Sequence, residues 1–128
     1  MSQMRATVWS AMTGLLVAVA ALLLVWGVDT LAHGAGWADW LMLLSGALTP
    51  SWVLGWYFVS EAPAPLFKQI LEVSSILVAN ASVYAPLGLV VHATASRATM
   101  VRWMWRLAAG IVWIGLVHLA IWRGHAFI

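Results

Sequence analysis

Four residues that can do chemistry lie near the middle of two long apolar stretches: Thr49, Pro50 and Ser51 in one, and Asn80 in the next. Polar groups are costly at the centre of a bilayer, so those found there often serve a function. Pro50 has no amide hydrogen and obstructs the carbonyl one turn earlier, which frees a backbone acceptor. The Asn80 amide can donate to that acceptor or bond to the neighbouring hydroxyls. These residues therefore form either a polar step in a substrate or proton path, or a structural clasp at a kinked helix.

A second group of residues combines cations with aromatic rings in one short stretch. Its members are Arg97, Arg102, Trp103, Trp105 and Arg106. Guanidinium groups stack on indole rings and attract anionic lipid headgroups. The pattern predicts a surface that binds lipid or an acidic partner segment, with ordinary anchoring at the membrane interface as the alternative.

One carboxylate, Glu72, also needs an interpretation. It follows Lys68 by one helical turn, so the two side chains can form an ion pair at the membrane interface. If the helix starts deeper in the bilayer, Glu72 becomes an intramembrane carboxylate and a candidate proton or cation site.

The histidines suggest a metal or haem site, which their spacing largely argues against. His92 and His118 would differ in depth by roughly 15–17 Å on neighbouring helices, too far apart to ligate one haem. His33 and His92 are predicted at the same depth, with Asp29 one turn before His33. Histidines at the interface are common as snorkelling groups. No cofactor or metal is therefore predicted, although bound lipid is expected.

The composition requires that these residues be carried by membrane helices. Charged residues make up 8% of the 128 residues and apolar residues 64%, with ten Trp and no Cys. Between the charges lie stretches of roughly twenty apolar residues, the length that crosses a hydrocarbon core. The absence of Cys excludes disulfides, and six scattered cations are too few for a nucleic-acid surface. The chain is predicted to be an integral membrane protein.

The predicted fold is an all-α membrane domain over 1–128, an antiparallel bundle of four transmembrane helices. The helices are expected at about 7–31, 40–59, 66–93 and 102–122, with Pro50 kinking the second. Tryptophan prefers membrane interfaces, and this order places most indoles in two belts. Trp9, Trp56 and Trp122 fall on the N-terminal side, and Trp37, Trp40, Trp103 and Trp105 on the other.

The orientation in the membrane is not determined by this order. Arg5, Lys68 and Arg123 lie on one side and Arg97, Arg102 and Arg106 on the other, so the positive-inside rule gives no preference. In an alternative arrangement Pro50 marks a re-entrant hairpin, which leaves three crossings and a cytoplasmic arginine cluster. Such a hairpin requires protein around it, because irregular backbone is not tolerated against lipid.

The chain shows no hydrolytic triad, paired carboxylates or phosphate-binding glycine loop, so no enzyme is predicted. We expect a non-catalytic accessory or structural subunit of a larger respiratory, photosynthetic or secretory membrane complex. Its expected partners are other integral membrane subunits and phospholipids, in a bacterial plasma membrane. The alternative is a small homo-oligomeric transporter or channel for a small solute or ion.

Overall fold

The computed structural model describes residues 2–31, 36–53 and 66–126, and all regular secondary structure in these ranges is helical. The α-helices are α1 (Gln3–Leu31), α2 (Gly36–Leu48), α3 (Leu66–Tyr84), α4 (Gly88–Ala93) and α5 (Thr99–Ala126), and two short 3₁₀ helices cover Pro50–Val53 and Ala85–Leu87. The all-helical prediction is confirmed for the described ranges.

Within the described ranges, three helical segments are long and apolar enough to cross a membrane. They are Gln3–Gly27, Leu66–Ala93 and Thr99–Gly124, which supports an integral membrane protein. By contrast, α2 has 13 residues, and at 1.5 Å per residue its length is about 20 Å. That is shorter than the hydrocarbon core of about 30 Å.

The second predicted helix does not continue through its proline. Instead, α2 ends at Leu48, Thr49 is not helical, and Pro50 begins a 3₁₀ helix. The physical reason is that proline disfavours helical backbone at the residue before it and donates no hydrogen bond. Pro50 therefore ends this helix where a kink had been expected. The later part of the predicted helix, 54–59, lies outside the described residues.

A second proline interrupts the third spanning segment. Pro86 lies in the 3₁₀ helix between α3 and α4, where a proline breaks the regular ladder of backbone hydrogen bonds. The indole Nε1 of Trp113 donates to the Val83 carbonyl at 2.7 Å. This bond explains why one Trp sits at mid-depth, away from both predicted belts.

The helices α1 and α3–α4 pack closely and run in opposite directions. Gly14 on α1 lies against Asn80 and Tyr84, whereas Gly88 on α4 lies against Thr7 near the start of α1. Residue numbers therefore rise along one helix as they fall along the other. In the predicted order of four crossings, the first and third helices would run parallel, so the contacts contradict that order.

The last helix, α5, follows the same direction as α1. Its Arg106 bonds to Val91, its Trp113 to Val83 and its His118 to Ala47. Along α5, then, the partners on α4 and α3 occur in reverse sequence order. Because α5 follows α4 after a short turn, it begins at the end of the molecule where α1 begins.

Candidate functional site

The four polar and proline residues predicted at mid-depth are buried where the tip of α2 meets α3. Asn80 is 0% exposed, Thr49 1% and Ser51 5%, and the Pro50 side chain is also fully buried. The Ser51 hydroxyl donates to the Ile76 carbonyl on α3 at 2.8 Å. Ile76 and Asn80 are four residues apart and so share one face of α3. That face holds the 3₁₀ helix that follows α2.

Asn80 joins α3 to α1 and not to α2, the partner expected from the sequence. Its Nδ2 donates to the Gly14 carbonyl at 2.7 Å, a fully buried bond between two spanning helices. The close approach requires glycine at position 14, because a Cβ there would lie 2.6 Å from the backbone carbonyl oxygen of Asn80. The Oδ1 of Asn80 and the Oγ1 of Thr49 are buried and have no hydrogen-bond partner within the described ranges.

The end of α2 is capped by side chains from two spanning helices. The Tyr84 hydroxyl donates to the Leu48 carbonyl at 2.6 Å, and His118 Nε2 is 2.8 Å from the Ala47 carbonyl, to which it donates. The last carbonyls of a helix have no partner within it, and lipid supplies no donor. Tyr84 and His118 therefore supply the hydrogen bonds that a helix ending inside a membrane needs.

Sequence reasoning did not identify Tyr84 and His118 as partners of α2. The available signal was Pro50 itself, because a helix that ends at mid-depth needs donors from its neighbours. Tyr84 and His118 are two of several side chains in the apolar segments that carry a hydrogen-bond donor. Which of them reaches α2 depends on the direction of each helix, which the sequence pattern does not specify.

Of the Asp29, His33 and His92 side chains considered for a metal or haem site, the structure describes that of His92. His92 lies at the end of α4, near the start of α1, whereas α1 ends at Leu31, at the opposite end. The side chain of Asp29 and all of His33 lie outside the described residues. Among the described residues, no group of three or more His, Asp or Glu side chains could hold a metal ion.

Glu72 lies near the end of the molecule where α1 ends, the opposite side from that expected. It precedes Asn80 by eight residues on α3, about 12 Å along the helix axis. The Glu72 side chain is partly exposed and Lys68 is exposed. Their location at a span end agrees with an interfacial position more than with an intramembrane one.

The arginine cluster lies at the end of the molecule where α1 begins. The Nε of Arg106 donates to Thr94 Oγ1 and its Nη2 to the Val91 carbonyl, both at 3.1 Å. The guanidinium carbon lies 5.4 Å from the centre of the Trp103 ring, within the range of a cation–π interaction. Arg102 Nε is buried without a partner in the described structure, and Arg97 is exposed.

Three clefts border the helix that carries these arginines. One of about 460 Å³ lies between α1, α3–α4 and α5 and is lined by Trp9, Leu87, Trp103 and Arg106, among others. A second, of about 440 Å³, continues past Arg106 to Gly110, Gly115 and His118. A third, of about 420 Å³, brings Arg97 and Trp105 together. Four of the five predicted residues are thus divided between different clefts around one helix, and Arg102 lines none of the three.

The site contains two arrangements with different chemistry. The tip of α2 is a buried network of hydrogen bonds, and the start of α5 is a cationic and aromatic surface that opens into apolar clefts. No protein-family model, curated protein or solved structure matches this chain.

Proposed function

We propose that the chain crosses a bacterial plasma membrane three times and that Pro50 marks a re-entrant hairpin whose first arm is α2. Two observations support this topology. α2 begins at Gly36, shortly after α1 ends at Leu31, and α3 runs opposite to α1, so it begins at that same end. The segment between them would therefore enter and leave on one side. Its tip is enclosed by protein, which is the condition for irregular backbone at membrane depth.

This topology also gives an orientation. With three crossings, Arg5, Arg97, Arg102 and Arg106 share the side of the N-terminus, and only Lys68 and Arg123 lie on the other. Cytoplasmic loops carry the excess of Lys and Arg. The N-terminus and the arginine cluster are therefore assigned to the cytoplasm, and the C-terminus to the opposite side.

We propose that the chain is a non-catalytic subunit of a larger membrane assembly, attached to its partners through α5. The observation that carries this proposal is the exposure of α5. None of the residues in its most apolar stretch is buried, compared with 17% in α1 and 22% in the α3–α4 segment. Side-chain hydrogen bonds hold α5 to the rest of the chain, and its outer face remains open to helices of other subunits.

The polar side chains inside the helix bundle support a structural role as well. Asn80, Ser51, Tyr84 and His118 all bond to backbone carbonyls of other elements. Interhelical hydrogen bonds in membranes contribute on average around 0.6 kcal/mol each, so they set positions more than they add stability. Ser51, Tyr84 and His118 position the hairpin, and Asn80 positions α3 against α1. Polar groups used in this way hold a scaffold in one arrangement.

The proposal is tested by purifying the tagged native protein in lipid nanodiscs and identifying what accompanies it by mass spectrometry. We expect stoichiometric recovery with larger membrane subunits. Val112→Trp on the outer face of α5 should release them, because a large ring blocks close packing of helices. The matched control is Leu16→Trp on α1, since both side chains are 62% exposed. Equal loss in both variants, or recovery of the chain alone, would contradict docking through α5.

A second candidate function, a small homo-oligomeric transporter or channel, is favoured by one observation. Thr49 Oγ1 and Asn80 Oδ1 are buried without hydrogen-bond partners in the described structure, and such groups at mid-depth can bind a passing solute or ion. Thr49→Val removes the hydroxyl at nearly constant volume and breaks no hydrogen bond seen in the structure. If the chain transports, ion or solute flux in liposomes should fall several-fold in this variant with folding unchanged. Flux absent from the unmodified protein would exclude this candidate.

A further inference from the structure

We infer that the cleft between α1, α3–α4 and α5 binds one anionic phospholipid. Its phosphate would lie against Arg102 and Arg106, and an acyl chain would lie in the cleft. The proposal does not depend on the subunit function, because it uses only the residues around the start of α5.

The end of the molecule that contains the cleft is positively charged and has no carboxylate near it in the sequence. Arg97, Arg102 and Arg106 fall within ten residues, and the chain contains no Asp or Glu after Glu72. Of the acidic side chains that the structure describes, Asp39 starts α2 and Glu72 lies near the start of α3, both far from this end. An anionic headgroup complements this end, where basic residues attract anionic lipid.

Arg106 is placed to hold a phosphate just inside the membrane. It lies seven residues after the start of α5, about 10 Å along the helix. Its side chain turns back to Thr94 and Val91 at the end of α4, the direction in which a snorkelling arginine reaches the interface. These bonds use Nε and Nη2 of a group with five donor hydrogens, so donors remain for a ligand.

Arg102 does not line the cleft, but it adds a second guanidinium on the same face of α5 as Arg106. It precedes Arg106 by four residues, a spacing that places the two side chains side by side. Its Nε is buried and has no partner in the described structure. Guanidinium groups bind phosphate through paired hydrogen bonds, so two neighbouring arginines suit a phosphodiester.

The shape and lining of the cleft identify the rest of the ligand. Its volume is about 460 Å³, within the range of about 300–1,000 Å³ for ligand sites. Beyond Arg106 its wall is mostly apolar, with Trp9, Leu87, Val90 and Leu107. An acyl chain fits such a wall, whereas a peptide segment would bring backbone polar groups into it without partners. A free phosphate would leave the apolar part unused.

The test is native mass spectrometry of the full-length protein, with phosphatidylglycerol and phosphatidylcholine of identical acyl chains added in excess. We expect one phosphatidylglycerol to be retained at least ten-fold better than phosphatidylcholine. Arg102→Gln and Arg106→Gln should each lower this retention by a factor on the order of five, the effect of one basic residue near a membrane surface. Arg123→Gln, at the other end of α5, is the matched control and should have no effect.

Two further measurements separate this site from general attraction of charge. Leu107→Trp should reduce retention with every arginine in place, because the ring occupies the cleft. Inorganic phosphate at millimolar concentration should not displace the lipid. Equal retention of both lipids, unchanged retention in Arg102→Gln, an equal loss in Arg123→Gln, or displacement by phosphate would each overturn the proposal. Arg102→Gln keeps the test decisive if Arg106→Gln fails to fold, since Arg102 Nε makes no hydrogen bond in the described structure.

Discussion

Single cysteines at Ser2 and Gly124 are expected to react with a membrane-impermeant thiol reagent from opposite sides of the membrane. The reason is the odd number of crossings: α1, the α3–α4 segment and α5 each span once, while α2 ends at mid-depth. Ser2→Cys should react only from the cytoplasmic side. The chain contains no cysteine, so each variant reports a single position without background.

Two further positions make this experiment specific for the re-entrant hairpin. Ser96→Cys, in the turn between α4 and α5, should react from the same side as Ser2→Cys. Phe67→Cys, at the start of α3, should react from the same side as Gly124→Cys. A bundle of four crossings instead places Ser2, Phe67 and Gly124 on one side of the membrane and Ser96 on the other. Labelling of Ser2→Cys and Gly124→Cys from the same side of intact cells and inverted vesicles would therefore contradict three crossings.

Gly88→Ala is expected to lower the free energy of unfolding by about 1–3 kcal/mol, the usual cost of overpacking a well-filled interior. A Cβ at Gly88 would lie 2.5 Å from Thr7 Cα and 2.7 Å from Thr7 N. These are backbone atoms, so no change of rotamer can relieve the contact. The helices α1 and α4 would have to separate, which weakens the close approach that stabilises helix pairs in lipid.

The measurement is the midpoint of unfolding by sodium dodecyl sulphate in mixed micelles. Gly110→Ala and Gly115→Ala are matched controls, because an added Cβ at either position meets nothing within 4 Å. Both controls should leave the midpoint unchanged or raise it slightly, since alanine favours helix over glycine. Combining Gly88→Ala with Thr7→Gly should not restore stability, because the Thr7 backbone remains in place. A midpoint for Gly88→Ala equal to that of the controls would refute this account of the α1–α4 contact.

Much of the polar centre could be identified from the sequence because its residues are costly in an apolar stretch. Thr49, Ser51 and Asn80 stand out in such stretches, and the structure buries all three. Their partners could not be identified in the same way. Asn80 bonds to Gly14, whose carbonyl is one among many equivalent acceptors along α1, and only the packing of α1 on α3 selects it.

The sequence also indicates which residues lie at the ends of each span. It does not indicate which side of the membrane each end faces. Arginine and tryptophan mark interfaces, and the described tryptophans Trp9, Trp26, Trp103 and Trp122 do lie toward helix ends. Reversing α5 moves Trp103, Trp105 and Trp122 to the opposite interface and leaves each of them at an interface, whereas Trp113 lies at mid-depth in either direction. The tryptophan pattern is therefore the same for three crossings and for four.

The sequence by itself determined that this is a helical membrane protein, where its apolar segments lie and which polar residues they carry, because the cost of a polar group in hydrocarbon is a local property. Only the tertiary structure decided that α2 ends inside the molecule and that α3 runs opposite to α1. Those features depend on whether the carbonyls freed at Pro50 find donors, and Tyr84 and His118 supply them from helices distant in the sequence. Local hydropathy does not encode contacts between distant segments. The direction of each helix is therefore decided by the tertiary contacts.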